Sequence, residues 1–396
     1  MNNLIGNSMK KINILFVGNL IVGGAELYLD RLIRTLDRQK FHVTVALLSR
    51  YGLKDDMPRD VDLIQVTDNP SSLRTAWKNW VIIFRLADMI RTRNIDIVHT
   101  NHLGINSLYA QIAAKILRLP TVETLQHAYN ARSRTDDLFI KNSLAHAIRN
   151  RLVDRFVAMG EVLFKEVNTL WKIPVPKLFL NKMGVDIERF TPKGTDQRRQ
   201  LLISIGVEPS CTVLGFIGSP RPVKGLSKVL MLMHHLKFHR HNIMLMVVGI
   251  ESGHEDYEKQ VRNLGIESHV IFCGLRTDMP YVISGMDWYI QATDGPSLGN
   301  TTLECMACGK PIATFYASAH EKNLASETCR EGINGTLLNL NDVSSEAKRF
   351  AHLLQDEEQS HAMGRHSREI VKMEYSQSIH AIRMGQLYEL LYKSKC

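Results

Sequence analysis

Two basic residues three positions apart stand where a strand-like run gives way to a helical stretch. Residues 212–218 form an apolar run ending at Gly218, and Arg221 and Lys224 follow just before the helical stretch that starts at Gly225. The helix dipole disfavours cations at a helix start, so this placement favours a bound anion. The two cations can reach one diphosphate and stabilise charge that grows on a departing phosphate. Two solvated basic residues are the alternative interpretation.

A second cluster spans residues 294–311, DGPSLGNTTLECMACGKP, and begins with Asp294. Gly299, Asn300 and Thr301 suit a loop and a helix cap, and the first amides of the helix that follows would face an anion. Glu304 lies one turn into that helix, where its carboxylate can accept hydrogen bonds from sugar hydroxyls. A capped helix without a ligand is the alternative.

A glycine pair, Gly23 and Gly24, precedes the first helical stretch. Glycines at such a point let a ligand or a phosphate approach the backbone closely. Glycine pairs are common in loops, so this feature alone is a weak indication of a site.

Candidate metal ligands are sparse. His99 and His102 flank a strand end, but no carboxylate or cysteine lies at a convincing spacing from them, so no metal is predicted. Cys305 and Cys308 form a C-x-x-C, yet their shared helix and the lack of a second pair favour burial.

Strands alternating with helices must position these residues. The pattern predicts an α/β fold with two mainly parallel, doubly wound sheets in tandem, and two such domains would form a cleft lined by both sets of loops. A break at residues 190–194 sets the expected boundaries: 1–192, 193–375, and a final stretch, 376–396, that packs back on the first domain. The predicted strands are residues 11–17, 42–48, 62–66, 96–99, 121–125, 212–218, 242–249, 270–273, 288–291 and 312–315.

Composition excludes several classes of protein. The 396 residues are 44% hydrophobic and 22% charged, which is ordinary globular usage. No apolar run approaches the length of a membrane span, and the six cysteines suggest a reducing compartment, so a cytoplasmic location is expected.

The positive charge is unevenly distributed along the chain. Residues 1–192 hold 27 Lys and Arg against 18 Asp and Glu, and the remainder holds 22 of each. The whole excess of +9 therefore lies in the first half and predicts an anionic partner.

One source of that excess is the basic stretch 132–155, which is interleaved with apolar residues and could lie on an anionic membrane at its inner face. A solvated helix face explains it equally well. A nucleic-acid partner is not expected, because no binding module or stacking pattern accompanies the charge. The basic residues are Arg132, Arg134, Lys141, Arg149, Arg151 and Arg155. Four apolar residues at helical spacing are expected in the core rather than in contact with lipid: Trp77, Trp80, Val81 and Phe84.

Several short motifs recur in a recognisable order along nearly the whole chain. They are Gly23-Gly24-Ala25-Glu26, His127, Gly184-Val185-Asp186, Arg189-Phe190, Pro192, Arg221, Lys224, Gly274, Asp287, and Glu304 within ECMACGKP. The ordered set resembles glycosyltransferase family 4, whose members are retaining enzymes of the GT-B fold, with two Rossmann-like domains facing a central cleft.

The resemblance implies a nucleotide diphosphate sugar as co-substrate and no separate cofactor. It assigns the donor diphosphate to Arg221 and Lys224 and to the backbone amides of residues 299–301. It assigns the donor ribose to Glu304.

The same resemblance implies roles at the two ends of the donor. Leu275 and Arg276 fall where family members contact the nucleotide base. His127 matches the acceptor-domain histidine near the transferred sugar, and Gly23 and Gly24 match the glycine loop close to the reaction centre.

The chain departs from the family pattern at Pro296, where a second glutamate usually stands eight positions before Glu304. Asp294 is acidic and close enough in sequence to act on the donor sugar in its place. The expected function is transfer of a sugar from a nucleotide diphosphate to a glycan or lipid-linked acceptor. A non-catalytic partner subunit and a nucleotide-sugar epimerase of the same fold are the alternatives.

Overall fold

The computed structural model describes residues 10–18, 24–47, 57–66, 80–101, 105–125, 143–293 and 299–395. The contacts within the chain divide it into two compact units: unit 1, Met1–Gly184 with Gln377–Cys396, and unit 2, Val185–Ser376. Each unit is built on a parallel sheet with helices between successive strands, which confirms the predicted α/β class. Within the described ranges, no helix combines the length and the apolar character needed to cross a bilayer.

The strands are numbered in chain order. They are β1 (Ile12–Gly18), β2 (Phe41–Leu47), β3 (Val61–Gln65), β4 (Ile97–Thr100), β5 (Thr121–Leu125), β6 (Arg155–Ala158), β7 (Leu178–Leu180), β8 (Thr212–Ile217), β9 (Ile243–Val248), β10 (Val270–Phe272), β11 (Trp288–Gln291), β12 (Ile312–Tyr316) and β13 (Gly335–Asn339).

The α-helices are numbered in the same way. They are α1 (Gly24–Thr35), α2 (Val81–Thr92), α3 (Ile105–Ile116), α4 (Ser143–Leu152), α5 (Glu161–Trp171), α6 (Thr195–Ser204), α7 (Leu226–Leu236), α8 (Glu255–Leu264), α9 (Met279–Ser284), α10 (Asn300–Ala307), α11 (Ala319–Ala325), α12 (Val343–Leu353), α13 (Glu357–Glu374) and α14 (Gln377–Lys395).

Unit 1 holds a sheet with the strand order β3-β2-β1-β4-β5-β6-β7, and all of these strands are parallel. The central strand β1 is apolar along most of its length, and Ile14, Leu15 and Phe16 are fully buried. A run that is apolar on both faces is typical of a parallel strand covered by helices on both sides. Helix α14, the last in the chain, packs in this unit against α1, β1 and β4.

Unit 2 holds a parallel sheet with the order β10-β9-β8-β11-β12-β13. Its main core joins Leu214 and Leu245 of the sheet to Leu230 of α7 and Phe350 of α12. The direction in which strands are added reverses between β8 and β11. Ligand sites of open parallel sheets lie at such a reversal, outside the carboxyl ends of the strands.

Candidate functional site

The loop that follows β8 lies at the strand reversal of unit 2. Gly218 donates its backbone N–H to the carbonyl oxygen of Val248 at 2.9 Å, which ties the loop to the end of β9. The chain then passes through a 3-10 turn, Pro222–Lys224, and enters α7 after Gly225. The predicted diphosphate loop is therefore held at the carboxyl edge of the sheet.

Two glycines allow this loop to approach its neighbours. Gly225 has φ +78°, and a Cβ atom there would lie 2.1 Å from the carbonyl oxygen of Ala292, just after β11. Gly249 has φ +92°, and its Cβ would lie 2.7 Å from the carbonyl oxygen of Gly218. Both positions therefore exclude any side chain, and the ends of β8, β9 and β11 converge.

Arg221 and Lys224 lie close together in this loop. Arg221 is exposed, and its Nε donates to Ser219 Oγ at 3.2 Å. Lys224 is partly buried, and burial first, then the positive charge of Arg221, lower the pKa of its ammonium group. Neither side chain forms an ion pair with any residue that the structure describes. An anion bound here would gain from both cations and relieve their repulsion.

Helix α10 begins beside the same reversal. Gly299 precedes it with φ +30°, and its carbonyl oxygen accepts from the amides of Thr302 at 3.0 Å and Leu303 at 3.4 Å. The first amides of a helix have no acceptor within the helix, so the start of α10 is a place where an anion can bind. Glu304 is buried, with 8% of its surface exposed, one turn into the helix.

Arg368 of α13 supports the other end of α10, a role that no local sequence signal indicates. Its Nη1 donates to the carbonyl oxygens of Ala307 and of Phe190, the latter at 3.0 Å, and its Nη2 donates to Ile187 at 3.3 Å. A cation beside the last carbonyls of a helix stabilises it through both hydrogen bonds and the helix dipole. Arg368 thereby fixes the helix that carries Glu304.

The loop after β10 carries the residues predicted to contact a nucleotide base. Gly274 has φ +64°, and its carbonyl oxygen accepts from the amide of Gly249 at 2.8 Å, which joins this loop to the end of β9. Leu275 is 76% exposed. Arg276 is engaged by Asp278 through two hydrogen bonds of 2.8 and 2.6 Å, which lower the pKa of the carboxyl.

Other predicted site residues fall in unit 1 or in parts of the chain that the structure does not describe. Gly24 is the first residue of α1. Gly23, His127 and Asp294 lie outside the described residues, as does Pro296. In unit 2, the loop 218–225, the loop after β10 and the start of α10 each follow a strand of the same parallel sheet, at its carboxyl edge.

His99 of unit 1 is a buried structural histidine. Its Nδ1 lies 2.6 Å from the hydroxyl of Tyr388 in α14, and its Nε2 lies 2.8 Å from Thr124 Oγ1. Burial first, then the neighbouring His380, lower the pKa of His99 to about 3. His380 is also buried, its Nδ1–H donates to the carbonyl oxygen of Lys182 at 2.8 Å, and burial lowers its pKa to about 4. Both rings are neutral at pH 7.

Arg149 corrects part of the membrane prediction for residues 132–155. Its Nε donates to Glu123 Oε2 at 2.7 Å, and Glu123 is completely buried in β5. The guanidinium also lies 5.2 Å from the ring centres of Phe156 and Trp171. Arg149 therefore belongs to the interior of unit 1 and is not available to a lipid surface. Arg132, Arg134 and Lys141 lie outside the described residues.

Arg151 of that stretch is exposed, and Arg155 is partly buried at the start of β6.

Cys305 and Cys308 are both buried, and this burial raises the pKa of the Cys308 thiol to about 12. Among the described residues, no group of three or more His, Cys, Asp or Glu side chains could hold a metal ion.

Sequence profiles of known families match both units. The profile described as Glycosyltransferase Family 4 matches residues 22–189, and the profile described as Glycosyl transferases group 1 matches residues 204–370. The chain belongs to glycosyltransferase family 4. Its members transfer sugars, so this glycosyltransferase is a sugar-transferring enzyme.

Curated relatives of this glycosyltransferase are also sugar-linking enzymes. N-acetyl-alpha-D-glucosaminyl L-malate synthase of Bacillus anthracis is 24% identical over 314 residues, which cover 78% of this chain and 77% of the relative. The putative glycosyltransferase EpsD of Bacillus subtilis is 22% identical over 314 residues, which cover 78% of this chain and 81% of the relative.

Solved structures show the fold. The crystal structure of Anabaena HepE in complex with UDP has a TM-score of 0.77 and 19% identity, with 96% of this chain and 100% of that chain covered. A glycosyltransferase from Rickettsia africae has a TM-score of 0.78 and 18% identity, with 97% and 99% covered. The glycosyltransferase thus has the GT-B type of fold, built from two Rossmann-like sheets, as the sequence predicts.

Proposed function

We propose that this glycosyltransferase moves a sugar from a nucleotide diphosphate donor to a glycan or lipid-linked acceptor, with retention of configuration, in the synthesis of a polysaccharide or glycolipid. The observation that carries the proposal is the pair Arg221 and Lys224. These two cations lie together at the strand reversal of unit 2, and no described carboxylate neutralises them. A diphosphate supplies the missing negative charge.

The chemistry follows from this charge. When the bond between the anomeric carbon and the diphosphate breaks, negative charge grows on the departing phosphate oxygen. In this proposal, Arg221, Lys224 and the amino end of α10 stabilise that charge. With two cations supplied by the chain, the proposed site needs no metal and no cofactor beyond the nucleotide sugar itself.

The remaining site residues complete the donor site in this proposal. Glu304 accepts hydrogen bonds from the ribose hydroxyls, and the loop with Leu275 and Arg276 contacts the base. Asp294 acts on the donor sugar in place of the glutamate expected at Pro296. His127, with the glycine pair Gly23 and Gly24, serves the transferred sugar and the acceptor.

The complexes of a structural relative support a uridine nucleotide as the donor. Anabaena HepE has been crystallised with UDP and also with UDP-glucose. The UDP-glucose complex has a TM-score of 0.72 to this chain.

We infer that this chain acts in the cytoplasm at the inner face of a membrane. Its five described cysteines are free, which fits a reducing compartment.

Thermal unfolding in the presence of nucleotides tests the proposal. A ligand that binds only the folded protein raises its melting temperature. At about 100 times its Kd, UDP or a UDP-sugar is expected to raise the midpoint of unit 2 by about 5 °C or more. Arg221→Ala, Lys224→Ala and Glu304→Ala are each expected to remove most of that shift.

The matched control is Arg365→Ala, which removes an exposed arginine of α13. This variant should keep the full shift. The proposal would be overturned if UDP, GDP, ADP and their sugars all left the wild-type midpoint unchanged, or if Arg365→Ala and Arg221→Ala lost the shift equally.

A further inference from the structure

The start of α2 exposes three large apolar side chains. Trp80, Val81 and Phe84 have 56%, 45% and 59% of their surface exposed. The rings of Trp80 and Phe84 are 5.5 Å apart and meet edge to face at 81°. We call these three residues the α2 patch. The sequence predicted core positions for them, and that prediction was wrong for all three; Trp77 lies outside the described residues.

The core of unit 1 does not need the α2 patch. Helix α2 buries a separate stripe, Ile82, Leu86 and Ile90, against the sheet and α3. These positions lie one turn apart along one side of the helix, whereas the α2 patch lies on the opposite side. The helix is therefore apolar on its inner side and again at one end of its outer side.

The outer side of α2 also carries positive charge. Arg85 and Arg91 are exposed there, and neither guanidinium makes an ion pair or a hydrogen bond with a residue that the structure describes. Asp88 adds one negative charge between them. The face is thus net basic, in the half of the chain that holds the whole excess of +9.

This combination fits a lipid surface. Tryptophan and phenylalanine side chains enter the boundary between lipid headgroups and acyl chains, and arginines beside them attract anionic headgroups. Sugars also stack on aromatic rings, but that contact gives no role to Val81, Arg85 or Arg91. A bilayer uses all five side chains.

The position of the α2 patch suits such a contact. Helix α2 follows β3 in the chain and leads to the amino end of β4, so in this parallel sheet the helix starts at the carboxyl edge. Ligands of parallel sheets bind at that edge. A bilayer that contacts the α2 patch would therefore present a lipid-linked acceptor at the ligand-binding edge of unit 1.

We propose that the α2 patch, with Arg85 and Arg91, is the surface by which this glycosyltransferase docks on an anionic lipid bilayer. The biological purpose of the docking rests on the proposed function, because a lipid-linked acceptor must be reached at the membrane. The docking itself involves neither donor nor transfer, so it is measured separately.

Sedimentation with lipid vesicles tests the docking. The full chain is mixed with vesicles of phosphatidylcholine alone or with 30% phosphatidylglycerol added, at low and high salt. Wild type is expected to bind the anionic vesicles, and Trp80→Ser/Phe84→Ser is expected to bind them at least ten-fold more weakly. Arg85→Gln/Arg91→Gln should lose most of the salt-sensitive part of the binding.

The matched control is Phe238→Ser, which removes an exposed phenylalanine of unit 2 with 64% of its surface accessible. Its vesicle binding should equal that of wild type. All variants should keep the wild-type thermal shift with UDP, which shows that they are folded and separates docking from donor binding. If wild type shows no UDP shift but its vesicle binding depends on the α2 patch, the proposed function fails and the docking stands.

Two results would overturn the docking proposal. One is equal binding of anionic vesicles by wild type and Trp80→Ser/Phe84→Ser. The other is a wild type that does not bind vesicles but forms dimers in sedimentation velocity, which the same double variant abolishes. In that case the α2 patch would be covered by a second copy of the chain.

Discussion

Arg149 in unit 1 and Arg221 in unit 2 are the same side chain in opposite situations. Arg149 is buried, bonded to the buried carboxylate of Glu123, and lies near two aromatic rings. Arg221 is exposed, donates its Nε–H to the hydroxyl of Ser219, and lies beside a second cation, Lys224. The first arrangement satisfies the charge within the fold, and the second leaves it for a ligand.

The difference shows how a structural cation is distinguished from a ligand-binding one. A buried charge is tolerated only when a partner compensates it, so removing the partner is costly to the fold. Two like charges at the surface oppose each other slightly in the free protein and gain when an anion arrives. Substitutions should therefore affect stability in unit 1 and ligand binding in unit 2.

The largest expected effect is on stability. Arg149→Met should lower the free energy of unfolding of unit 1 by about 3–5 kcal/mol, because the buried carboxylate of Glu123 loses its cation and keeps only the neutral donor Gln111. Arg221→Ala should change stability by no more than about 0.5 kcal/mol. Urea unfolding followed by tryptophan fluorescence measures both. Arg149→Met is made in a Trp288→Phe background, whose remaining tryptophans, Trp77, Trp80 and Trp171, lie in unit 1, and Arg221→Ala is followed through Trp288 of unit 2 with the other three replaced by phenylalanine.

A companion variant identifies the cause of the loss. Arg149→Met/Glu123→Leu removes both charges and should recover most of the lost stability. Equal losses in Arg149→Met and in Arg221→Ala would contradict the contrast between the two arginines.

The next effect is expected from pH, and it should be larger in unit 1 than in unit 2. Burial lowers the pKa values of His99 and His380 to about 3 and about 4, from 6.5 for an exposed histidine. At a pH below 6.5 and above the folded-state pKa, the unfolded chain binds more protons than the folded one. The free energy of unfolding is therefore highest above pH 6.5 and decreases as the pH drops. The loss approaches about 1.4 kcal/mol per pH unit for each histidine.

Urea midpoints of the two units at pH 7, 6 and 5 measure this effect. Within the described part of the chain, both fully buried histidines belong to unit 1. Unit 1 should therefore weaken more than unit 2, and His380→Gln should reduce the slope. A pH response of the same size in both units would rule out these histidines as its source.

The smallest effect is expected at Arg276, a cation of the donor region that already has a partner. Its two hydrogen bonds to Asp278 neutralise it at a partly exposed site. Arg276→Ala should raise the KM for the donor by less than about ten-fold, because exposed ion pairs contribute little energy. Initial rates with a nucleotide sugar compare it with Arg221→Ala, and an equal loss in both variants would show that Arg276 leaves Asp278 to bind the donor.

The order of strands and helices was largely predictable from local patterns. β1, β8 and β9 are long apolar runs that end at glycines, and such runs identify buried parallel strands. β6, β7 and β13 were not predicted. β6 begins at Arg155, the last residue of the basic stretch that was interpreted as a helix face, and the three residues of β7, Leu178–Leu180, are too few to show a period by themselves.

The candidate site divides in the same way. Arg221, Lys224 and Glu304 were recognisable because each stands a fixed number of residues from a strand end or a helix start. Arg368 was not, because it reaches α10 from 61 residues further along the chain. Trp80 and Phe84 were assigned to the core because helical spacing identifies an apolar side without indicating which side faces the sheet.

The sequence by itself determined the alternation of strands and helices and the placement of Arg221 and Lys224 at a strand–helix junction, since both depend on neighbours along the chain. Only the tertiary structure decided which charges are satisfied and which apolar side chains are covered. Arg149 meets Glu123 across 26 residues, and the covered side of α2 depends on the sheet and α3. Burial and pairing are set by residues distant in sequence, and they separate an arginine that stabilises the fold from one that binds a ligand.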